Sequence, residues 1–302
     1  MITSVERVEP DPATADAVRA IAAAAEEADG VAPLSEPTLL ALGHGGGTHL
    51  LARAGDRPVG YAFRDDGSAE LVVHPDHRRR GVGTTLVGAV AGPSDASGGG
   101  GAGGAGGGVR VWAHGRLPAA VAFAGRLGWR EERVLWQLRR PLTEPLPDAP
   151  MPDGIRLRAF TAADERAWVE VNARAFATHP EQGAMTVEDL RLRETEPWFD
   201  PAGFLLAVRE DGGLAGFHWT KVHPGPPAIG EVYVLGVDPS ARGLRLGPAL
   251  TVAGLRHLRD AGLDTAMLYV DDDNPRAVRL YETLGFTRYA VDVQFAPPPP
   301  SG

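Results

Sequence analysis

The sequence predicts a mixed α/β fold in two similar halves. The main observation is a strand, a proline turn and an Arg/Gly loop that come directly before a helix, twice in the chain. The first copy covers residues 71–83 and the second covers residues 235–247, about half a chain length apart. Segments with strand and helix patterns alternate in the same order around both copies. With 302 residues the chain is long enough for two ordinary domains, so we predict a duplicated domain.

In the first half, Asp11 is followed by proline and an Ala-rich run, which predicts a helix that is capped by Asp11 and ends near Asp29. Residues 98–108 are only glycine and alanine. Such a segment has no large apolar side chains to bury, so we predict a disordered loop there. The other predicted elements of this half are strands near 48–54, 58–63, 69–74, 109–114 and 132–139, and helices at 83–91 and 118–127.

The order of elements repeats in the second half. Helices are expected to begin at Thr161, at Leu246 and at Asn274. The predicted strands lie near 155–159, 204–209, 214–222, 231–237, 266–270 and 286–295. Residues 141–152 contain five prolines, which is typical of an interdomain linker. The expected organisation is therefore a domain over 1–140, a linker over 141–152, a domain over 153–296 and a disordered tail over 297–302.

Composition argues against several classes of protein. The net charge of −9 is unfavourable for a protein that binds nucleic acid. No apolar run approaches the ~20 residues that a membrane span needs, and the N-terminus lacks the apolar core of a signal peptide. The chain has no cysteine, and therefore no disulfide, thiolate metal site or cysteine nucleophile. We expect a cytoplasmic protein without metal, membrane or nucleic acid partners.

A Gly/Arg loop that opens a helix is suited to bind a pyrophosphate, because its unpaired N–H groups lie at the positive end of the helix dipole. The repeated loop resembles the acyl-CoA site of the GNAT acetyltransferase superfamily, whose pattern is Arg/Gln-x-x-Gly-x-Gly/Ala. Residues 78–83 fit this pattern fully, and the second copy fits at Arg242 and Gly247. Arg245 stands at the middle glycine position, which requires either a left-handed residue with a side chain or an altered loop.

A later helix adds to the resemblance. The family pattern Asn-x-x-Ala-x-x-x-Tyr-x-x-x-Gly-Phe is matched by Asn274, Ala277, Tyr281, Gly285 and Phe286. The resemblance implies a mixed α/β fold with a mainly antiparallel sheet and two tandem GNAT acyl-CoA N-acyltransferase domains. It also implies acetyl-CoA as acetyl donor, and a bulged strand whose backbone amides hold the thioester carbonyl. Two generic α/β domains with glycine turns are the alternative interpretation.

The two halves differ in the residues that an acetyl transfer needs. Aligning the proline turns puts Glu231 over Gly67, and aligning the Leu-Gly-aromatic ends puts Tyr281 over Ala124. Transfer to an amine requires a base for the ammonium proton and benefits from an acid for the leaving thiolate. We therefore predict that Glu231 is the base, acting through water, that Tyr281 is the acid, and that only the C-terminal domain is catalytic. A solvated glutamate and a core tyrosine are the alternatives.

Within the superfamily, the chain is similar to tandem enzymes that acetylate the cysteinyl amine of cysteinyl-glucosaminyl-inositol (Cys-GlcN-Ins). The similarity is carried by residues 172–183, 217–223, 231–237 and 268–281. It implies that this small-molecule substrate is contacted by Glu36, Glu181, Lys221, Glu231 and Tyr269. Lys221 as a surface lysine and Glu181 as a solvated loop residue are the alternatives. The role of Glu36 requires the two domains to face each other, and we expect a monomer.

The same resemblance implies acetyl-CoA contacts in both halves, which allows one acetyl-CoA per domain. In the first domain the implied contacts are Leu71, Val72, Val73, Arg79, Arg80, Gly81, Val82, Gly83 and Thr84. In the second domain they are Leu235, Gly236, Val237, Arg242, Gly243, Leu244, Arg245, Leu246, Gly247, Pro248, Asn274, Pro275, Arg276, Ala277, Val278 and Arg279.

Two other functions fit the sequence. The first is a GNAT N-acetyltransferase for another amine, such as a protein N-terminus, an aminoglycoside or a polyamine, with the same base and acid. The second is a non-catalytic acyl-CoA sensor. The intact loop of the first half fits a sensor, but a sensor does not need the pair formed by Glu231 and Tyr281.

Overall fold

The computed structural model describes residues 4–65, 67–92 and 108–298, and for Pro180 and Glu181 it describes only the backbone. The chain forms two compact units. Unit 1 contains residues 1–135 and 290–302, and unit 2 contains residues 136–289. Residues 98–107 of the expected disordered loop and residues 299–302 of the expected tail lie outside the described residues.

Unit 1 has a sheet with the strand order β1-β2-β3-β4-β5-β12, in which β4 and β5 are parallel and the other described neighbours are antiparallel. Its strands are β1 (Ser4–Val8), β2 (Thr48–Ala54), β3 (Arg57–Asp65), β4 (Ser68–Val73) and β5 (Arg110–Ala113), with the second part of β12 (Thr287–Ala296). Its helices are α1 (Pro12–Asp29), α2 (Glu36–His44), α3 (Val82–Ala91) and α4 (Pro118–Arg126).

Unit 2 repeats this plan with the strand order β6-β11-β10-β9-β8-β7, in which β10 and β11 are parallel. Its strands are the second part of β6 (Arg130–Pro141), β7 (Ile155–Ala159), β8 (Phe204–Arg209), β9 (Leu214–His223), β10 (Ile229–Val237) and β11 (Thr265–Asp271). Its helices are α5 (Glu165–Ala175), α6 (Pro180–Gly183), α7 (Val187–Glu194), α8 (Leu246–Asp260) and α9 (Pro275–Thr283). The predicted mixed α/β fold with a mainly antiparallel sheet is confirmed in both halves.

The units differ from the expected domains of 1–140 and 153–296. Residues 290–296 of β12 belong to unit 1, and residues 136–141 of β6 belong to unit 2. Residues 141–152, expected to be a linker, are part of unit 2, where Leu142 is buried and donates its N–H to the Asp264 carbonyl at 2.8 Å. The prolines exclude regular structure from this segment, but its leucines still find apolar partners.

Each sheet is covered by helices on both faces. In unit 1 the alternate residues Tyr61 and Phe63 pack with α1 and α2, whereas Ala62 packs with α3. In unit 2 Trp219 packs with α5 and α7, and Leu268 packs with α8 and α9. This alternation follows from the two-residue period of a strand. Among the described residues, no helix has the length and apolar character of a membrane span.

A buried charged network lies inside unit 1. His114 Nδ1 is 3.0 Å from Asp292 Oδ2, and its Nε2 is 3.4 Å from Glu70 Oε1. Glu70 also accepts from the Ser35 backbone N–H and the Thr38 hydroxyl, both at 2.8 Å. Burial opposes the charged imidazole, but the hydrogen bonds and charges of Asp292 and Glu70 raise the pKa of His114 to about 10. His114 is therefore an imidazolium at neutral pH.

The raised pKa of His114 predicts how the stability of unit 1 depends on pH. The folded state holds this proton more tightly than the unfolded state, so the contribution is complete below about pH 6.5 and is lost as pH rises toward about 10. We expect the free energy of unfolding to fall over this window, and His114→Gln to be less stable and to lack this part of the fall. Denaturant unfolding at several pH values tests this, and parallel pH curves for the two proteins would contradict it.

Candidate active site

The site is built around an incomplete strand pairing in unit 2. The parallel ladder between β10 and β11 joins only Gly230 to Ala266 and Glu231 to Met267, although β10 continues to Val237. On its other side β10 stays paired with β9 to its end. Beyond Glu231, the edge of β10 that faces β11 therefore has backbone groups outside the ladder. Such an edge is suited to bind an extended chain that carries amide groups.

A β-bulge lies two residues after Glu231. The register with β9 shifts between Val232 and Val234, so Tyr233 is an extra residue in β10. Tyr233 and Val234 both pack with the α5 core, as expected where a bulge interrupts the alternation. In unit 1 the ladder between β3 and β4 runs without a shift over all of β4. The bulge expected from the resemblance is thus present, and within the described residues this strand position is bulged in unit 2 alone.

The bulge corrects one detail of the sequence alignment. Gly216 pairs with Val237, and five residues along β9 Lys221 pairs with Glu231. In unit 1 the same count from the pair of Gly60 and Val73 leads to Asp65 and Ser68. Ser68, rather than Gly67, is therefore the counterpart of Glu231, because β10 has one residue more than β4. A carboxylate is still missing from this position in unit 1.

The two loops before α3 and α8 share one backbone conformation. In unit 1 Arg79 and Gly81 have φ of 60° and 88°, and in unit 2 Gly243 and Arg245 have φ of 90° and 57°. Each loop thus has one glycine and one arginine in its two left-handed positions, in opposite order. The departure at Arg245 is accommodated by a left-handed arginine and not by an altered loop. A left-handed residue with a side chain costs about 1–2 kcal/mol, so each loop carries one such cost.

The arginines of these loops differ in what they contact. Arg78 forms two hydrogen bonds of 2.7 Å with the carboxylate of Asp29 and a third with the Val73 carbonyl. It therefore fastens the loop to α1 and is not available to a phosphate. Arg79 and Arg80 are exposed, as are Arg242 and Arg245 in the second loop. These four arginines therefore carry exposed positive charge on the two loops.

The candidate base, Glu231, is buried on the face of the sheet that α5 and α7 cover. Its side chain is 9% exposed, and its Oε2 is 2.6 Å from Nε2 of His223. Lys221 lies directly across the ladder and is also buried. The Lys221 ammonium is 4.4 Å from the centre of the Trp198 ring and 5.2 Å from that of Tyr233, which are cation–π distances. Lys221 is thus not a surface lysine.

The candidate acid, Tyr281, lies on α9, where it is 9% exposed and contacts Phe286 edge-on. Burial raises the pKa of Tyr281 to about 12, so the phenol keeps its proton at neutral pH, as an acid must. The Phe286 N–H donates to the Tyr281 carbonyl, and the Trp129 N–H donates to the Ala124 carbonyl in the same way. Ala124 is therefore the structural counterpart of Tyr281, as the alignment predicts.

The other predicted substrate residues are placed unevenly. Tyr269 follows Met267 by two residues and so lies on the same face as Glu231, where its hydroxyl accepts from Gln137 at 2.8 Å. Glu36 begins α2 in unit 1. The side chain of Glu181 lies outside the described residues. The predicted substrate contacts of Tyr269, Glu36 and Glu181, like those of Lys221 and Glu231, remain predictions.

The predicted cofactor residues at the start of α9 form a capped helix end. The side chain of Asn274 accepts from the N–H of Ala277 at 3.1 Å, and Pro275 occupies the first turn, where its missing N–H costs nothing. Arg276 and Arg279 are exposed on this end. Within the described parts of the chain, no cluster of three or more metal-binding side chains is found.

Sequence reasoning missed His223 and Gln137. His223 lies two residues after Lys221 on β9, so it shares the face on which Glu231 lies. That spacing was visible in the sequence, but the register that brings His223 to Glu231 was not. Gln137 belongs to β6, which was expected in the first domain, and its bond to Tyr269 depends on β6 lying beside β11 in unit 2.

Comparison with known proteins agrees with this geometry. Residues 138–286 match a family described as Acetyltransferase (GNAT) family, and residues 45–131 match an Acetyltransferase (GNAT) domain. A mycothiol acetyltransferase from Thermobispora bispora is 56% identical over 297 residues, covering 94% of this chain and 96% of that protein. Another from Salinispora arenicola is 53% identical, with coverage of 97% and 96%. The chain belongs to the mycothiol acetyltransferase family.

Solved structures support the assignment to this family of tandem GNAT enzymes. A GCN5-related N-acetyltransferase from Sphaerobacter thermophilus is 27% identical, with a TM-score of 0.64 over 97% of this chain and 95% of that one. A tandem GNAT protein from the clavulanic acid biosynthesis pathway has a TM-score of 0.68 and 19% identity, over 99% and 100% of the chains, and shows the shared fold. The predicted N-acetyltransferase is thus confirmed, and its acetyl donor is acetyl-CoA, as in GNAT enzymes.

The mirrored loops of this acetyltransferase predict a matched pair of substitutions. Arg79→Gly and Arg245→Gly each remove a left-handed side chain, so each should raise the free energy of unfolding by about 1 kcal/mol, measured by denaturant titration. Arg245→Gly should also raise the KM for acetyl-CoA several-fold because it removes a charge from the loop of unit 2. Arg79→Gly is the control and should leave that KM unchanged. Destabilisation by both substitutions would contradict the proposed strain.

Proposed function

We propose that this chain transfers acetyl from acetyl-CoA to the cysteinyl amine of Cys-GlcN-Ins, giving mycothiol in the last step of mycothiol biosynthesis, and that it acts as a monomer. The observation that carries the proposal is the combination in unit 2 of a bulged strand, a buried carboxylate on that strand and a buried phenol on α9. In the described part of unit 1, the matching strand has no bulge and the matching positions are Ser68 and Ala124. The names of relatives at 56% and 53% identity support the choice of substrate.

Each proton movement is assigned to one residue. Bound acetyl-CoA supplies an activated thioester. Glu231 takes the proton of the substrate ammonium through water, so that the amine has a lone pair with which to attack. Backbone N–H groups of residues 235–237 hold the carbonyl oxygen as it gains charge. Tyr281 donates its proton to the departing thiolate, and its raised pKa keeps that proton available.

Unit 1 is proposed to be non-catalytic. The position of the base Glu231 is occupied by Ser68, which is not a base. The position of the acid Tyr281 is occupied by Ala124, which has no proton to donate. The charged residues nearby do not replace them, because Glu70 and Asp292 are already hydrogen-bonded to His114. Its loop nevertheless has the same backbone as the loop of unit 2, which supports a second acetyl-CoA site with a structural role.

The substrate wall is proposed to contain Lys221, Tyr269 and Glu231, with Glu36 and Glu181 carried over from the family resemblance. A pseudodisaccharide offers many hydroxyls and one ammonium, which a phenol, an ammonium and carboxylates can recognise. Lys221 disfavours a polyamine because it places a positive charge beside Glu231. Another GNAT amine substrate would use the same base and acid, so only a comparison of substrates separates the two functions.

Substitution of the base and the acid tests the mechanism. We expect Glu231→Gln and Tyr281→Phe to lower kcat by about 10²–10⁴-fold with little change in the KM for acetyl-CoA, because each removes a proton carrier and keeps the shape. Mass spectrometry of the acetylated product gives the rate with Cys-GlcN-Ins. A peptide N-terminus, an aminoglycoside and a polyamine are assayed in parallel. Absence of product from Cys-GlcN-Ins, with turnover of another amine, would contradict the proposed substrate.

Two glycines in matching positions test which unit is catalytic. A methyl group on Gly83 would lie 3.5 Å from Phe123, and one on Gly247 would lie 3.7 Å from Leu280, so both helices accept a side chain. We expect Gly247→Val to block the approach of acetyl-CoA and abolish turnover in a folded protein. Gly83→Val is the matched control and should retain turnover. The reverse pattern, together with a fully active Tyr281→Phe, would move catalysis to unit 1.

A further inference from the structure

The base proposed above has a direct partner in His223. Nε2 of His223 is 2.6 Å from Oε2 of Glu231, a short distance that is typical of a charge-assisted hydrogen bond. The contact joins diagonal neighbours of an antiparallel ladder, because Glu231 pairs with Lys221 and His223 pairs with Ile229. The contact is therefore set by the register of two paired strands, β9 and β10.

The chemistry of the contact determines which nitrogen carries hydrogen. An ionised carboxylate only accepts hydrogen bonds, so with Glu231 in the charged form that a base needs, Nε2 of His223 is the donor of this bond. In the neutral ring the other nitrogen, Nδ1, then carries the lone pair. The same arrangement, an imidazole oriented by a carboxylate on one nitrogen and basic at the other, recurs in nucleophile–base–acid constellations.

The two side chains differ in how much of their surface is exposed to solvent. The His223 side chain is 37% exposed, whereas that of Glu231 is 9% exposed. A proton that stays on the buried carboxylate has no direct exit, but a proton on the imidazole can leave to water. Among the described residues, the other titratable groups on this face are Lys221 on β9, Tyr233 on β10, and Tyr269 and Asp271 on β11. His179 lies 3.6 Å from Asp271, and Arg193 of α7 donates to the Tyr233 hydroxyl.

We propose that His223 is the second half of the catalytic base, and that the proton released by the substrate ammonium comes to rest on its Nδ1. The ammonium loses one proton, directly or through water, and becomes the attacking amine. His223 gains that proton and becomes an imidazolium, while Glu231 stays ionised and stabilises the new charge. After acetyl transfer the imidazolium releases the proton to solvent. This inference rests on the proposed function and refines the role of Glu231 within it.

The principal test uses a variant that keeps the hydrogen bond and loses the titration. The side-chain amide of His223→Gln can still donate to Glu231 but cannot accept a proton. We expect its kcat/KM to fall by about 10²-fold or more with the KM for acetyl-CoA unchanged. The acid limb of its pH profile should move to lower pH, because a carboxylate loses its charge at lower pH than an imidazole gains one.

His179 provides the matched control. It is also paired with a carboxylate in unit 2, Asp271, at 3.6 Å, but it does not contact Glu231. His179→Gln should keep the wild-type kcat/KM and pH profile. His223→Ala should regain at least tenfold activity when imidazole is added, with a pH dependence that follows the titration of imidazole. A merely structural role for His223 predicts no rescue by imidazole.

The outcomes separate this inference from the proposed function. If the wild-type protein acetylates Cys-GlcN-Ins but His223→Gln keeps its rate and pH profile, Glu231 acts alone and the inference fails. If imidazole does not rescue a folded His223→Ala protein, His223 only positions Glu231 and the inference fails as well. If the wild-type protein uses another amine but shows both His223 effects, the base is correct and the substrate is wrong.

Discussion

The candidate active site is built around one extra residue in a strand. This residue, Tyr233, forms a bulge in β10 two positions beyond Glu231, where the ladder of β10 with β11 ends. Unit 1 has no such bulge, because β4 pairs with β3 without a shift, yet the ladder of β4 with β5 also stops at Glu70, before the strand ends. The strand opening is thus common to both units, whereas the extra residue of unit 2 puts Tyr233 beside Lys221, next to Glu231.

Duplication preserved the backbone of this enzyme more strictly than its side chains. The two phosphate loops have the same pair of left-handed residues although glycine and arginine have exchanged places. In contrast, the residues around each loop have diverged in function. Unit 2 keeps a carboxylate that contacts a titratable imidazole, whereas the buried carboxylates of unit 1 are saturated by an imidazole that is already charged. A charged side chain whose hydrogen-bonding positions are all occupied is suited to stabilise the fold. A charged side chain that can still exchange a proton is suited to catalysis.

The placement of the last strand follows the same distinction. Residues 290–296 belong to unit 1, where Val293 is buried and Asp292 bonds to His114 and to the N–H of Gly115. The last strand is therefore held in unit 1 by hydrogen bonds to His114 and Gly115, residues of the first half of the chain. This explains why a division of the chain at its proline-rich segment does not coincide with the compact units.

The sequence by itself determined most of the elements and their chemistry. The cap at Asp11, most strands of both halves and the loss of Glu231 and Tyr281 counterparts in the first half follow from local pattern and from spacing, whereas β1, α2, α6 and α7 do not. The tertiary structure alone decided which strands become neighbours. The position of the bulge at Tyr233, a strand that joins the other unit, and the contact of His223 with Glu231 all depend on register between segments distant in the chain. Register is set by packing and not by the residues of one segment, so periodicity cannot reveal it.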